Sequence, residues 1–155
     1  MTAAAVPQSV AALERSRTKA AARHLAARIA LARMEAVKRG VYVALRFEGA
    51  GTAMSLSTIV DGNGNGVRTR DIQRGIDRRI DSRIRLFEQF PGVRYESVRI
   101  GSSSLLSVSP LGTATPGTLY IRGRDGTRMG VRVLGATGRT RLLQYDARLR
   151  TWLPV

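Results

Sequence analysis

The first forty residues carry apolar side chains at helical spacing. The positions that recur at intervals of three and four residues are Ala22, Leu25, Ile29, Ala32 and Ala36. They share one face of a 3.6-residue period and most are small, which predicts a helix that packs closely on a sheet. Glu35 and Arg39 form an i,i+4 pair in the favourable order, and Gly40 supplies the C-terminal stop.

After Gly40 the pattern changes to short apolar runs separated by glycine-rich turns, which is typical of β-strands. The predicted strands cover residues 41–47, 54–60, 93–95, 98–100, 105–109, 118–122, 129–134 and 139–145. The first two pair as a hairpin, and Asp125-Gly126 predicts a type I′ turn between two later strands. The sequence therefore predicts an α+β fold, with one long N-terminal helix packed on antiparallel sheet.

Residues 67–85 are harder to assign. Isoleucine occurs there at every fourth position, at Ile72, Ile76, Ile80 and Ile84. That spacing fits a short helix about as well as an irregular loop anchored by isoleucines. Gly75 weakens the helical interpretation, so we predict that the segment is mostly loop.

Length and composition bound the organisation of the chain. Its 155 residues and 43% hydrophobic content suit a single domain, with the helix in residues 1–40 and a β-rich part in residues 41–155. Cysteine is absent, which excludes disulfides and thiolate metal sites. No run approaches the roughly 18 apolar residues of a membrane span, so the chain as written is expected to be soluble. Its alanine-rich start nevertheless looks like the tail of a longer apolar segment.

The net charge of +15 comes almost entirely from arginine, since only Lys19 and Lys38 of the 26 basic residues are lysines. Arginine presents a planar fork that suits phosphate and carboxylate groups. An acidic partner, whether DNA, anionic lipid or an acidic protein, is one interpretation. A solvated surface in a chain rich in arginine is the other, and both stay open.

Candidate sites for metal ions and catalysis are weak. The turn after residue 60 matches the first half of a calcium loop at Asp61, Asn63, Asn65 and Gly66, but Ile72 stands where a bidentate acid is needed. A turn that tolerates positive φ explains it better. His24 has no acid at i±3 or i±4, and Asp77 and Asp81 are surrounded by arginines, so packing and salt bridging are favoured over catalysis. We expect no catalytic residues, no metal and no cofactor.

The few aromatic side chains fall at strand positions, which favours core packing or cross-strand pairs over base stacking. Trp152, near the C-terminal end, either covers an apolar patch of its own domain or docks on a neighbouring subunit.

Four segments in order resemble the GspH/FimT family of minor pseudopilins. They are Leu31 to Val41, the turn Asp61 to Arg68, Ser109 to Gly117 and Gly138 to Leu142. The resemblance implies a pilin-like fold, residence in the inner membrane and periplasm, and contacts with other pseudopilins through the N-terminal helix, here about residues 10–39. The family's prepilin leader, followed by Phe-Thr-Leu-Ile-Glu and an apolar run, does not occur in this sequence.

The resemblance also implies a more specific hypothesis. Gly138-Arg139-Thr140-Arg141 matches a Gly-Arg-X-Arg motif with which the DNA-uptake branch of the family holds DNA. On a strand, Arg139 and Arg141 would share a face and meet successive phosphates. Arginines nearby in the sequence that would extend this patch are Arg122, Arg124, Arg128, Arg132, Arg148 and Arg150. The patch would bind without base specificity.

Three functions therefore stay open. The first is a structural subunit in the tip or shaft of a type II secretion pseudopilus or a type IV pilus-like filament. The second is a DNA-binding minor pilin that takes up double-stranded DNA through the arginine patch. The third is a basic protein that binds nucleic acid outside any filament. None of them is an enzyme, and none needs a small-molecule substrate.

Overall fold

The computed structural model describes residues 5–155, so the first four residues of the predicted helical part lie outside the described residues. Helix α1 runs from Ala5 to Arg39, a length of about 52 Å at 1.5 Å per residue. Gly40 ends it with φ +67°, and its N–H donates to the carbonyl of Ala36 at 2.9 Å. The predicted C-terminal stop is confirmed.

Ten strands and two short helices follow in the described part of the chain. The strands are β1 Val43–Glu48, β2 Ser55–Val60, β3 Arg78–Arg79, β4 Ile84–Arg85, β5 Arg94–Ile100, β6 Leu105–Val108, β7 Gly117–Arg122, β8 Arg128–Val133, β9 Thr140–Asp146 and β10 Thr151–Pro154. The helices are α2 Thr69–Gln73 and α3 Leu86–Gln89, and a 3-10 turn covers Gly51–Ala53.

The strands form two antiparallel sheets. The first sheet has the order β3-β2-β1-β6, with β4 also paired to β2, and the second has the order β10-β9-β8-β7-β5. The predicted hairpin is confirmed, because β1 and β2 pair from Val43 opposite Val60 to Glu48 opposite Ser55. One leading helix on antiparallel sheets is the predicted α+β, pilin-like arrangement.

Helix α1 packs against both sheets and joins them into one core. It contacts β1 and β6 of the first sheet and β7, β8 and β9 of the second. All five residues of the predicted apolar stripe are buried at 0–2% exposure. Because three of the five are alanines, the helix backbone lies close to the sheets. The core beneath it includes Leu45, Leu106, Leu119 and Val131.

The structure corrects two local predictions. The two strands predicted at 93–95 and 98–100 are one strand, β5, with a register shift between Tyr95 and Ser97. The predicted type I′ turn is wrong, because of its two central residues only Gly126 has positive φ, at +88°. Instead a five-residue loop joins β7 to β8, and Asp125 stabilises it by accepting from the N–H and hydroxyl of Thr127.

Just over half of residues 67–85 is turn and loop, as predicted, and the rest is regular structure. Helix α2 occupies part of the segment, and β3 and β4 pair with β2 at Arg79 opposite Ile59 and Ile84 opposite Leu56. Both strands have only two residues, so they leave no periodic pattern that the sequence could reveal.

Candidate interaction surfaces

The second sheet has one buried and one solvent-facing side. On β8 the side chains of Met129, Val131 and Val133 are buried in the core that includes α1, while Arg128 and Arg132 alternate with them on the opposite side. Directly paired residues of antiparallel strands share a face. The register therefore defines an outer face of the second sheet, which carries arginines and aromatic residues.

Two rows of side chains cross this outer face. In the first row, Arg94 of β5 pairs with Arg122 of β7, and Arg122 pairs with Arg128 of β8. In the second row, Thr118 of β7 lies between Arg99 of β5 and Arg132 of β8, and Arg132 pairs with Arg141 of β9. Since neighbouring strands lie about 4.8 Å apart, like charges stand side by side in both rows.

An aromatic cluster lies between the two rows. The ring of Trp152 lies 4.9 Å from Tyr120 and 5.3 Å from Tyr145, and a Cβ added at Gly130 would lie 3.6 Å from the Trp152 ring. The guanidinium of Arg128 lies 4.7 Å from the ring centre of Tyr145 and 5.3 Å from that of Trp152. The cross-strand pairing predicted for aromatic residues is confirmed here, and Trp152 covers its own sheet.

The arginines of the two rows differ in their electrostatic partners. Glu96 contacts Arg128 at 2.9 Å and Arg122 at 3.9 Å, so the first row is partly neutralised. Within residues 5–155, Arg132 and Arg141 form no ion pair. A directly opposed like-charge pair is destabilising, and an anion bound between the two would relieve it.

The eight arginines predicted from sequence occupy three places. Arg122, Arg128, Arg132 and Arg141 lie in the outer-face rows. Arg124, Arg148 and Arg150 lie in the loops that end β7 and β9, at the same end of the sheet as the first row. Arg139 lies in the turn before β9, at the opposite end, where its carbonyl accepts from the N–H of Leu134. The prediction that Arg139 and Arg141 share one face of a strand is therefore wrong.

Sequence reasoning missed Arg94 and Arg99. Both lie on β5, which joins the second sheet by pairing with β7, a strand that follows it in the chain only after β6 of the first sheet. Residues five apart lie on opposite faces of a regular strand, so nothing in the sequence indicated that these two belong together. Only the register shift between Tyr95 and Ser97 and the pairing with β7 place both on the face that carries Arg122 and Arg132.

A second surface is the solvent-facing side of α1. The large apolar side chains exposed along this helix are Val10 (53%), Leu13 (56%), Leu31 (51%), Met34 (65%) and Val37 (56%). They lie away from the stripe that packs on the sheets. Residues 7–13 are exposed or half-buried, and the first buried position is Glu14, so the first two turns described extend beyond the sheets. The helix therefore has apolar residues on two sides, and the sheets cover only one of them.

The turn that resembles half of a calcium loop, residues 61–66, is held by hydrogen bonds from backbone N–H groups to Asp61. Asp61 is 4% exposed and accepts from the N–H groups of Asn63, Gly64 and Gly66. Gly64 and Gly66 have φ +78° and +88°, as predicted for this turn. In the described part of the chain, no group of three or more His, Cys, Asp or Glu side chains is arranged to hold a metal ion.

The two predicted salt-bridging aspartates behave differently. Asp81 pairs with Arg28 of α1 and accepts from the N–H of Thr58 at 2.7 Å, so its predicted ion pair forms with the helix and not with the neighbouring arginines. The prediction for Asp77 is wrong. It is 2% exposed and accepts from the N–H groups of Gly62 and Arg68, which need acceptors in this buried loop.

His24 is part of the helix packing. Its ring lies 5.4 Å from that of Phe90 and tilted to it. Burial, together with the positive charge of Arg28, lowers the pKa of His24 below its usual value of 6.5. At the end of α1, the hydrogen bond from Arg39 lowers the pKa of Glu35, and the predicted ion pair between them is present at 2.7 Å.

Comparison with known proteins places this fold in a family. Among the described residues, no helix is long and apolar enough to cross a membrane. The searches of curated proteins and of solved structures each gave no match. The model of the family described as type II transport protein GspH matches residues 21–138, a span that includes most of α1 and β1 to β8. This span covers well over half of the sequence, so the chain belongs to the GspH family, whose members are pseudopilins of secretion and pilus systems.

Proposed function

We propose that this protein is a structural minor pseudopilin, a non-enzymatic subunit that joins other pseudopilins in a secretion pseudopilus or pilus-like filament. It contributes to assembly of the tip or shaft through α1. The observation that carries this proposal is the uncovered apolar side of that helix. Leu31, Met34 and Val37 are each more than half exposed, although Ala32 and Ala36 in the same turns are buried.

The geometry suits packing by a second helix. Apolar side chains exposed along several turns form a contact strip, and small residues between them let another helix approach closely. Ala27 and Ala30 are exposed beside Leu31 and supply such small positions. Since the opposite stripe of α1 already holds the two sheets, the uncovered side is free for a neighbouring subunit.

An association assay tests this proposal. The double variant Leu31→Asp/Met34→Asp places charge on the uncovered side, and we expect it to bind the other pseudopilins of the same organism at least about tenfold more weakly, because apolar contacts are lost and charges are desolvated. The matched control is Leu149→Asp/Val155→Asp, which changes two apolar residues that follow β9 and β10 and are 65% and 61% exposed. Equal binding by both variants would contradict the proposal.

A second candidate function is DNA binding on the outer face of the second sheet, and one observation favours it. Arg132 and Arg141 stand opposite each other without an acidic partner among the described residues, as described above. Phosphate groups would relieve their repulsion. The eight arginines predicted from sequence, with Arg94 and Arg99 beside them, would supply contacts that are independent of base sequence.

Titration with duplex DNA at several salt concentrations tests the second candidate. Removing Arg132 and Arg141 by substitution with alanine should weaken binding and reduce the slope of log K against log salt by about 0.9 for each lost phosphate contact. The control Arg78→Ala/Arg79→Ala removes the same charge from the first sheet, where both side chains are exposed. If the control has the same effect, binding depends on net charge alone and the outer face is not a DNA site.

A further inference from the structure

A cavity of about 260 Å³ lies between α1 and the turn that joins β8 to β9. The residues that line it are Ala30, Arg33, Gly138, Arg139 and Thr140. Two arginines from distant parts of the sequence therefore face one cavity, and no carboxylate of the described chain lines it. The cavity belongs neither to the outer-face rows nor to the sheet-packed stripe of α1.

Arg33 reaches this position because two glycines leave room for its side chain. A Cβ added at Gly112 would lie 3.1 Å from Nε of Arg33, and one added at Gly138 would lie 3.2 Å from its Cδ. Nε of Arg33 is buried without a hydrogen-bond partner. In residues 5–155, neither Arg33 nor Arg139 forms an ion pair. A half-buried Arg33, whose Nε lacks a partner, and an exposed Arg139 therefore lie beside one cavity, and no carboxylate of the described residues neutralises either of them.

A second copy of this chain is poorly suited to supply that anion. The sequence contains eleven acidic residues, and each already makes an ion pair or a hydrogen bond within the chain. Those in ion pairs are Glu14, Glu35, Glu48, Asp81, Glu88 and Glu96. Those that accept hydrogen bonds from backbone N–H groups are Asp61, Asp77, Asp125 and Asp146. Asp71 accepts from the side-chain amides of Asn63 and Asn65.

The net charge points the same way. Two copies at +15 each repel one another, whereas an acidic protein is attracted. The cavity also adjoins apolar positions of α1, since Ala30 lines it and Leu31, Met34 and Val37 lie exposed along the same helix. Apolar side chains beside a half-buried and an exposed arginine suit a protein partner better than a phosphate backbone, which binds to rows of exposed basic residues.

We propose that the cavity bounded by Arg33 and Arg139 is a carboxylate socket that receives an Asp or Glu side chain of a different, acidic pseudopilin packed on α1. The inference rests on the proposed function. It adds that the chain associates with an unlike partner and not with itself. The planar forks of the two arginines would hold the carboxylate through paired N–H···O bonds.

Binding measurements on the full chain test the socket. The probe is whichever of the organism's other pseudopilins binds the unaltered chain most tightly, and the variant is Arg33→Gln/Arg139→Gln. We expect its affinity to fall at least about tenfold, because a buried pair of charge-assisted hydrogen bonds is lost. The control Arg70→Gln/Arg74→Gln removes the same charge at exposed positions around α2 and should change affinity less than about twofold.

The outcomes separate the socket from the proposed function. If Leu31→Asp/Met34→Asp abolishes pseudopilin binding and the socket variant does not, the helix contact stands and the socket is overturned. If the socket variant loses duplex DNA binding but keeps pseudopilin binding, the cavity holds phosphate and the proposal is again overturned. Arg139→Gln alone, at an exposed turn position, should reproduce part of the loss with an unchanged circular dichroism spectrum. Stable self-association in sedimentation experiments would contradict the unlike-partner claim.

Discussion

Gly138 decides where the two arginines of the Gly-Arg-Thr-Arg segment lie. Its φ is +62°, a conformation that side chains with a Cβ rarely adopt. A Cβ here would also lie only 2.4 Å from the carbonyl oxygen of Gly112. The glycine therefore lets the turn before β9 approach both Gly112 and Arg33, which places Arg139 beside the helix while Arg141 enters the sheet opposite Arg132.

Gly138→Ala tests this requirement. We expect it to lower the free energy of unfolding by more than about 2 kcal/mol, since backbone strain and a collision with backbone act together. Gly64→Ala is the matched control, because Gly64 has φ +78° but open space around it, so strain alone should cost about 1 kcal/mol. Urea denaturation of both variants measures the difference. Equal losses would show that the close approach to Gly112 has no energetic consequence.

His24 is the residue at which pH should act on folding. Its pKa is lowered in the folded chain, mainly by burial and then by Arg28, so the unfolded chain binds a proton first as the pH falls below 6.5. The stability that neutral His24 contributes is therefore complete at higher pH. It is lost as the pH falls from 6.5 toward the lower folded pKa.

His24→Gln removes this titration. We expect the unfolding free energy of the variant to change less between pH 7.5 and pH 5.5 than that of the unaltered chain, because glutamine stays neutral throughout. Urea midpoints at the two pH values give the comparison. Identical pH dependence in both proteins would mean that the His24 imidazole is no more costly to charge when folded than when unfolded.

At the scale of elements, α1 is a helix with two different apolar sides. The buried stripe uses small residues, with Ala21, Ala22 and Ala36 fully buried, so that backbone lies close to both sheets. The exposed side carries larger residues such as Leu31 and Met34. Both sides combine alanines with larger apolar residues, so what distinguishes them is burial: one side holds this domain and the other is available to another subunit.

Replacing an alanine by leucine on each side of α1 tests whether only one side is closely packed. Ala36→Leu should lower the unfolding free energy by about 1–3 kcal/mol, because a larger side chain has no space beneath the helix. Ala27→Leu, at an exposed position of the same helix, should change it by less than about 0.5 kcal/mol. Thermal or urea unfolding checks both. A similar effect at the two positions would show that the packing of α1 is looser than described.

For the molecule as a whole, the sequence predicted what depends on local periodicity. The stripe from Ala22 to Ala36 and the β1–β2 hairpin follow from spacing and turn residues alone. Features that depend on contacts between distant residues could not be predicted. Arg94 joins Arg122 only through the pairing of β5 with β7, and Asp77 is held by backbone N–H groups that carry no side-chain signal.

The same limit applies to the candidate surfaces. The Gly-Arg-Thr-Arg segment was visible in the sequence, but the neighbours of its arginines were not. Arg33 is more than a hundred residues away from Arg139, and the cavity between them arises from the packing of α1 against the second sheet. Charge composition was compatible with an acidic partner, and only the structure divides the arginines between the outer face of the second sheet and the cavity beside α1.

Site-specific crosslinking tests the central claim most directly, since the chain contains no cysteine of its own. Leu31→Cys on the uncovered side of α1, and Leu149→Cys in the loop after β9 as control, are each labelled with a photoactivated crosslinker in cells that assemble the filament. We expect Leu31→Cys to be crosslinked to other pseudopilins and Leu149→Cys to be crosslinked to them far less. Capture of no pseudopilin from position 31, with the filament present, would contradict it.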